Sequence, residues 1–405
     1  MITARYLGPA NYGLLNYAIS VVSFVTPIMR LGLTSIFVHE TIQEPEKEGE
    51  TLGTSLALSV FSALICIVGA NLFVFISHGT EQDTIVVTAL YSTVLLFQAF
   101  EIINYWFQAK LLAKYCSILS LIAYIIVSGY KVFILASHKS IYWFAVANVL
   151  DFFLIAIGLC FLYKNKGNQK LSFSTIRAKK LLNRSKYYII SDLMVVIFAQ
   201  TDRIMLKGML SNEATGFYSA AVTCAGITNF VFAAIIDSMR PTILESKAES
   251  EETYRKKLSW LVSIIVYLSL LQCIVMTVFS SLIIHVIYGD AYAAAAPALQ
   301  IVVWYITFSY FGAVRNIWIL AEGKQKSLLP INLIGALANV ALNAAFIPIW
   351  GINGAAIASL VTQFMTNIIT GYVFPSIRGV NNVLLKGLDP HNLVEIKKVL
   401  LLKKD

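Results

Sequence analysis

Eleven ionisable side chains fall inside or at the edges of long apolar runs: Arg30, Glu101, Lys131, Asp151, Asp192, Asp202, Arg203 and Asp237, with Arg240, His285 and Arg315 nearer the ends. Charges at membrane depth are costly, so they face a bundle interior or a wet cavity and mark the path of a polar solute or ion. Arg30, Lys131, Arg203 and Arg240 are candidate binding groups for an anion, since arginine donates bidentately and lysine as a point charge. Asp192, Asp202 and Asp237 are candidate stations for a coupling cation. Arg30 leads the first group, because "TPIMRLGL" sets it beside Pro27 and Gly32 inside a span; the competing reading is a structural pair or a snorkelling arginine. Asp192 and Asp202 are ten residues apart, close to three turns, which predicts one helix face.

Plainer roles compete at the other positions. Asp202 and Arg203 read equally as an interfacial ion pair. Asp237 and Arg240, three apart, can neutralise each other. Lys131 and Asp151 sit on adjacent spans and can pair. Glu101 is expected to bind Lys114 or interfacial backbone, with no transport role, and His285 to be solvated. The five cysteines (Cys66, Cys116, Cys160, Cys224, Cys273) lie in apolar runs without paired spacing, so neither a metal site nor a disulfide framework is expected, and no cofactor.

The elements that must position these residues are transmembrane helices. The chain is 58% hydrophobic and 13% charged, with mean hydropathy +0.73, whereas soluble domains carry about a quarter charged residues. Runs long enough to cross about 30 Å of hydrocarbon are predicted over 12–38, 51–77, 84–108, 115–136, 141–163, 186–207, 215–239, 258–284, 294–317, 327–348 and 352–374. No basic region, apolar stretch and small-residue cleavage site opens the chain, so no cleavable signal peptide is expected. The net charge of +9 does not point to nucleic acid, because the basic residues sit in alternate loops. Eight of them lie in residues 164–186 alone, whereas the opposite loops hold only Arg5, Lys139 and Lys207. The positive-inside rule makes the basic set, and the C-terminus, cytoplasmic.

The chain also repeats. Leu7, Gly13 and Ala18 match Leu210, Gly216 and Ala221, and Asn104, Trp106, Ala109 and Lys114 match Asn316, Trp318, Ala321 and Lys326. Two matches in order at half the chain length indicate a parallel duplicated half. In the second copy a full span precedes the turn; in the first, "LGPANYG" stands almost at the start. The expectation is a six-plus-six helix protein lacking most of its first helix, with an authentic eleven-span form as the alternative. The expected organisation is an N-terminal lobe over 1–163, a basic linker over 164–185, a C-terminal lobe over 186–374 and a basic tail over 375–405.

"ARYLGPANYGLLNYA", "NYWFQAKLLAKY", "DRIMLKGMLSNEATGFYSAA" and "HVIYGDAYAAAAPALQI", in that order, resemble the Wzx-type polysaccharide flippases of the multidrug/oligosaccharidyl-lipid/polysaccharide exporter superfamily. The resemblance covers residues 4 to 374. It implies an all-α integral membrane fold of two six-helix lobes around a central cavity. It implies flipping of undecaprenyl-diphosphate-linked oligosaccharide repeat units to the outer leaflet of a bacterial plasma membrane by alternating access, for O-antigen or capsule biosynthesis. It also implies a basic residue near Arg30, an acidic residue at the Asp202 position, and partners among membrane lipids and other polysaccharide-assembly membrane proteins. The alternatives are a drug or metabolite exporter of the same fold and a membrane glycosyltransferase or polymerase. Short outer loops with few acids argue against an enzyme. The 164–186 loop and the tail after 374 are expected on the anionic inner leaflet.

Overall fold

The computed structural model describes residues 2–167 and 169–402, and every regular element among them is helical. Backbone contacts divide the chain into two compact units. Ala10–Gly208 forms one; Met209 onward, together with the segment up to Pro9, forms the other.

The first unit contains most of α1 (Ile2–Met29), then α2 (Leu33–Gln43), α3 (Glu48–His78), α4 (Gln82–Ser92), α5 (Val94–Gln98), α6 (Glu101–Ala109), α7 (Ala113–Ala136), α8 (Ile141–Lys166) and α9 (Thr175–Met209). Its core gathers Leu33, Phe37, Leu52, Ile103, Phe107, Leu159 and Leu181. Ile118, Leu121, Ile122 and Ile125 of α7 stay exposed, which suits a face solvated by lipid rather than water. The expected span 84–108 is bent into α4, α5 and α6 without proline or glycine. Ser92 and Thr93 hydroxyls bond back to the carbonyls of Ala89 and Leu90, a competition with the helix ladder that bends it.

The second unit holds α10 (Asn212–Ala225), α11 (Asn229–Glu249), α12 (Glu251–Val278), α13 (Ser280–Tyr288), α14 (Ala295–Ala321), α15 (Leu328–Phe364), a π-helix (Met365–Ile369), α16 (Thr370–Val373), α17 (Gly379–Gly387) and α18 (His391–Leu402). The start of α1 belongs here: Tyr292 Oη donates to the Ala4 carbonyl at 2.8 Å and Arg5 to the His285 carbonyl at 3.3 Å.

Nine helical stretches among the described residues are long and apolar enough to cross a membrane. The eleven expected spans differ from them at four places, one being 258–284, which ends at Val278 with α13 a separate helix. Gln325–Val373 is one stretch of 49 residues, long enough for the last two expected spans, broken only where Gly351 takes φ 57 and ψ −131. The span expected at 186–207 is part of the 35-residue α9, where Asp192, Asp202 and Arg203 reduce the apolarity. The span expected at 12–38 ends at Met29, and α2 is a separate helix.

The repeat is written in the backbone. The turn expected over "LGPANYG" contracts to Gly8 (φ 71, ψ 170), and Pro9 starts the next helical piece where its missing N–H would have no partner anyway. The matching Ser211 is extended and caps α10 by accepting from the Ala214 N–H. At the second match, α6 and α14 end in the same Schellman closure. Leu112 N donates to Phe107 O at 2.8 Å, and Lys324 N to Ile319 O at 2.9 Å.

Two surface expectations change. The loop between α8 and α9 shrinks to 167–174, because residues from Thr175 onward continue α9. The tail docks on its own unit: Val380, Val383 and Gly387 of α17 are buried, and Ser263 and Tyr267 of α12 donate to the Gly387 and Leu388 carbonyls, both at 2.7 Å.

Candidate functional site: the Arg30 cluster

The helix α1 stops two residues after Pro27. Leu31 and Gly32 both take positive φ (51 and 60), so Arg30 sits in a turn rather than within the span, as its apolar surroundings had suggested. Gly32 serves a close approach: a Cβ there would lie 2.7 Å from the Ser185 carbonyl and 2.9 Å from the Tyr188 Cβ of α9. That approach brings the next turn of α9, with Asp192, into the field of Arg30. From α6, Glu101 Oε2 accepts from Arg30 Nη2 at 2.6 Å. Glu101 therefore binds Arg30 and not Lys114, the partner expected from sequence proximity.

Three elements thus converge on one cation and two carboxylates. The Arg30 side chain is 40% exposed and that of Glu101 24%, while Arg30 Nε is buried without a hydrogen-bond partner. Arginine's planar donor fork matches a phosphate or a second carboxylate. An incoming anion competes with Glu101 for it, and a proton on either carboxylate weakens that competition.

The other sequence-selected residues do not join this cluster. Asp202, buried at 5% exposure, and the exposed Asp192 lie on different faces of α9, because ten residues are about 2.8 turns and leave an offset of about 80°. Arg203 donates to Gln200 Oε1 at 3.0 Å, an oxygen that also accepts from Ser20. Lys131 donates to Asn148 Oδ1 at 3.2 Å, with Asp151 as the nearby charge. Asp237 and Arg240 pair with each other at 3.1 Å on an exposed stretch of α11 in the other unit. His285 is exposed and pairs with Asp290 at 2.6 Å.

Several charge sites lay beyond sequence spacing. Lys207, buried at 3% exposure, pairs with Glu81. Burial pushes the Glu81 carboxyl up, but hydrogen bonds from Lys207 and Thr84 outweigh it and hold the group below the usual range. At the other end of α9, Arg177 reaches Glu40 (3.2 Å), Glu44 (2.8 Å) and Glu50 (3.8 Å). Lys180 reaches Glu40 (2.6 Å) and Glu44 (2.7 Å), and Arg184 also binds Glu40. Three of the eight basic-loop cations are therefore neutralised within the unit. The Arg177 and Lys180 hydrogen bonds bring the Glu44 carboxyl down to about 2. In the second unit Arg315, 5% exposed, donates to the Thr366 carbonyl in the π-helix at 2.6 Å and to Asn316 at 3.2 Å. These pairs join residues up to 144 positions apart, so no local pattern could announce them. The one local signal was Gly32 in "RLGL".

The comparisons with known proteins agree with this architecture. Residues 2–402 have the all-α membrane transporter fold. The chain superposes on an inward-facing multidrug resistance MATE family transporter of the MOP superfamily with a TM-score of 0.69, at 13% identity over 94% of this chain and 92% of that one. It is comparably similar to the lipid II flippase MurJ in an inward closed conformation, with a TM-score of 0.67, at 13% identity over 96% and 89%. Among curated proteins it is 27% identical over 201 residues to the membrane protein MJ1068 of Methanocaldococcus jannaschii; the match spans 49% of this chain and 39% of that protein. A family model described as polysaccharide biosynthesis protein matches residues 1–247. These two fold neighbours are a transporter and a flippase. With a multi-pass helical fold and a family match over more than half its length, the chain belongs to the polysaccharide biosynthesis protein family.

Proposed function

We propose that this protein flips undecaprenyl-diphosphate-linked oligosaccharide repeat units from the cytoplasmic to the outer leaflet of a bacterial plasma membrane, by alternating access. The observation that carries this reading is Arg30: a guanidinium in a helix break, partly exposed and held by one exchangeable carboxylate. A diphosphate takes the place of Glu101 on its donor fork. The polyprenyl chain stays in lipid, so only the sugar and diphosphate need a polar route and no covalent chemistry is required. Asp192, within the field of Arg30, is the carboxylate best placed to couple a proton or sodium ion to exchange of the anion. Asp202 and Arg203 hold α9 in place rather than carry cargo. The C-terminus lies in the cytoplasm by the distribution of lysine and arginine.

The test is complementation of a Gram-negative strain lacking its repeat-unit flippase, read as surface polysaccharide, with matched repeat units and membrane abundance verified. Restoration by the wild-type chain and loss with Arg30→Gln supports the proposal. Full restoration by Arg30→Gln removes Arg30 from the route. Failure of the wild-type chain at normal abundance, combined with export of organic cations, favours the drug-exporter reading that the MATE-like fold keeps open.

A further inference from the structure

Between α3, α6, α8 and the strap 167–174 lies a cavity of about 440 Å³ in the first unit. Its wall is apolar: Ile103 belongs to the core, Leu56 and Cys160 pack against it, and Leu171 of the strap closes one side. Lys164 and Lys170 line the same cavity. Both are exposed, and neither forms an ion pair with a described carboxylate, whereas four of the five acids at this end of α2 and α3, all but Glu46, are taken. Glu48 is bound by Lys110, and Glu40, Glu44 and Glu50 by the cations of α9. The site therefore offers a hydrocarbon-compatible wall beside two uncompensated cations, where α8 leaves its apolar span.

We propose that this cavity binds an anionic phospholipid of the surrounding bilayer, with its acyl chain along Leu56, Ile103 and Leu171 and its phosphate on Lys164 and Lys170. The strap that forms one wall is itself seated on α3. Gln169 accepts from the Gly49 N–H and donates to the Pro45 carbonyl, both at 2.9 Å. At Gly49 and Gly53 a Cβ would stand 2.4 Å from the Lys170 and Ser172 carbonyls. A lipid in the cavity thus secures the connection between the two repeats, whatever the transporter carries.

Cys160 provides the readout, being the half-buried cysteine while the other four are buried. Its alkylation by N-ethylmaleimide is followed by mass spectrometry on the full chain in detergent, with added phosphatidylglycerol or phosphatidylcholine of the same chains. Phosphatidylglycerol should slow the reaction and phosphatidylcholine should not. In Lys164→Gln/Lys170→Gln the concentration giving half-protection should rise about 30-fold, two cations' share of surface attraction. Leu171→Gln should weaken protection while leaving both cations in place. Equal protection by the two lipids, or unchanged protection in the lysine variant, overturns the assignment. So does stronger protection by undecaprenyl phosphate than by phosphatidylglycerol, which would give the site to a polyprenyl phosphate instead.

Discussion

Arg30 and Arg315 stand near matching helices of the two repeats, and the protein handles them in opposite ways. Arg30 is half exposed and tied to a carboxylate, with a second one in its field. Arg315 is buried and donates hydrogen bonds to the Thr366 carbonyl and the Asn316 side-chain oxygen. The first arrangement can exchange one anion for another. The second fixes a charge against a π-helix, on a Thr366 carbonyl that also accepts from the Thr370 hydroxyl. One half thus carries a replaceable ion pair and the other a buried arginine held by neutral acceptors.

Four measurements test how the two halves hold their charges and helix ends. The largest stability effect is expected for Arg30→Ala, which strands Glu101. The thermal midpoint in detergent should fall by an amount corresponding to about 1–2 kcal/mol, at the lower end because the pair is partly exposed. Adding Glu101→Gln should return most of the stability without restoring transport; if Arg30→Ala alone leaves the melt unchanged, the pair is not holding the turn.

Next come the two helix ends after Trp106 and Trp318. Leu111, 93% exposed with φ 57, occupies the left-handed position that Gly323 fills in the other copy. Leu111→Gly should stabilise by about 1 kcal/mol and Gly323→Leu destabilise by about as much, because an L side chain is strained there. Equal melts for both variants would show that the shared geometry carries no conformational penalty.

Arg315→Met should move the midpoint by less than about 1 kcal/mol, since the lost hydrogen bonds are offset by relief from burying a charge without a counterion. A collapse of folding would instead make Arg315 a structural keystone. The smallest effect concerns Glu44. Its carboxyl is lowered to about 2 by Arg177 and Lys180, so its contribution is complete above the ordinary value of 4.5 and is lost as pH falls toward 2. Between about pH 6 and about pH 3 the wild-type midpoint should fall more than that of Glu44→Gln; parallel curves would separate this cluster from acid stability.

Composition and apolar run length were enough to identify a polytopic helical protein, because crossing hydrocarbon demands long stretches of one chemical kind. The repeat could be read because Leu7, Gly13 and Ala18, and Asn104, Trp106, Ala109 and Lys114, recur in order at half the chain length, beside turns and helix ends that have local residue requirements. The attachment of α9 to the preceding helices was not legible. It depends on Arg177, Lys180 and Lys207 meeting acids more than 120 positions away, and hydropathy sums each segment in isolation. Sequence proximity misassigned Glu101 for the same reason. The docking of α17 escaped notice because its basic, amphipathic pattern suits a lipid surface as well as a protein one; the deciding partners are the Ser263 and Tyr267 hydroxyls on α12.

The sharing of α1 between the two units has a consequence for biogenesis. Ala4 and Arg5 find their partners at Tyr292 and His285, 288 and 280 residues later in the chain. At about 5–20 residues per second, the ribosome needs on the order of tens of seconds to supply those partners. During that interval Ala4 and Arg5 are without these two partners. The second unit thus closes late, on residues made long before it.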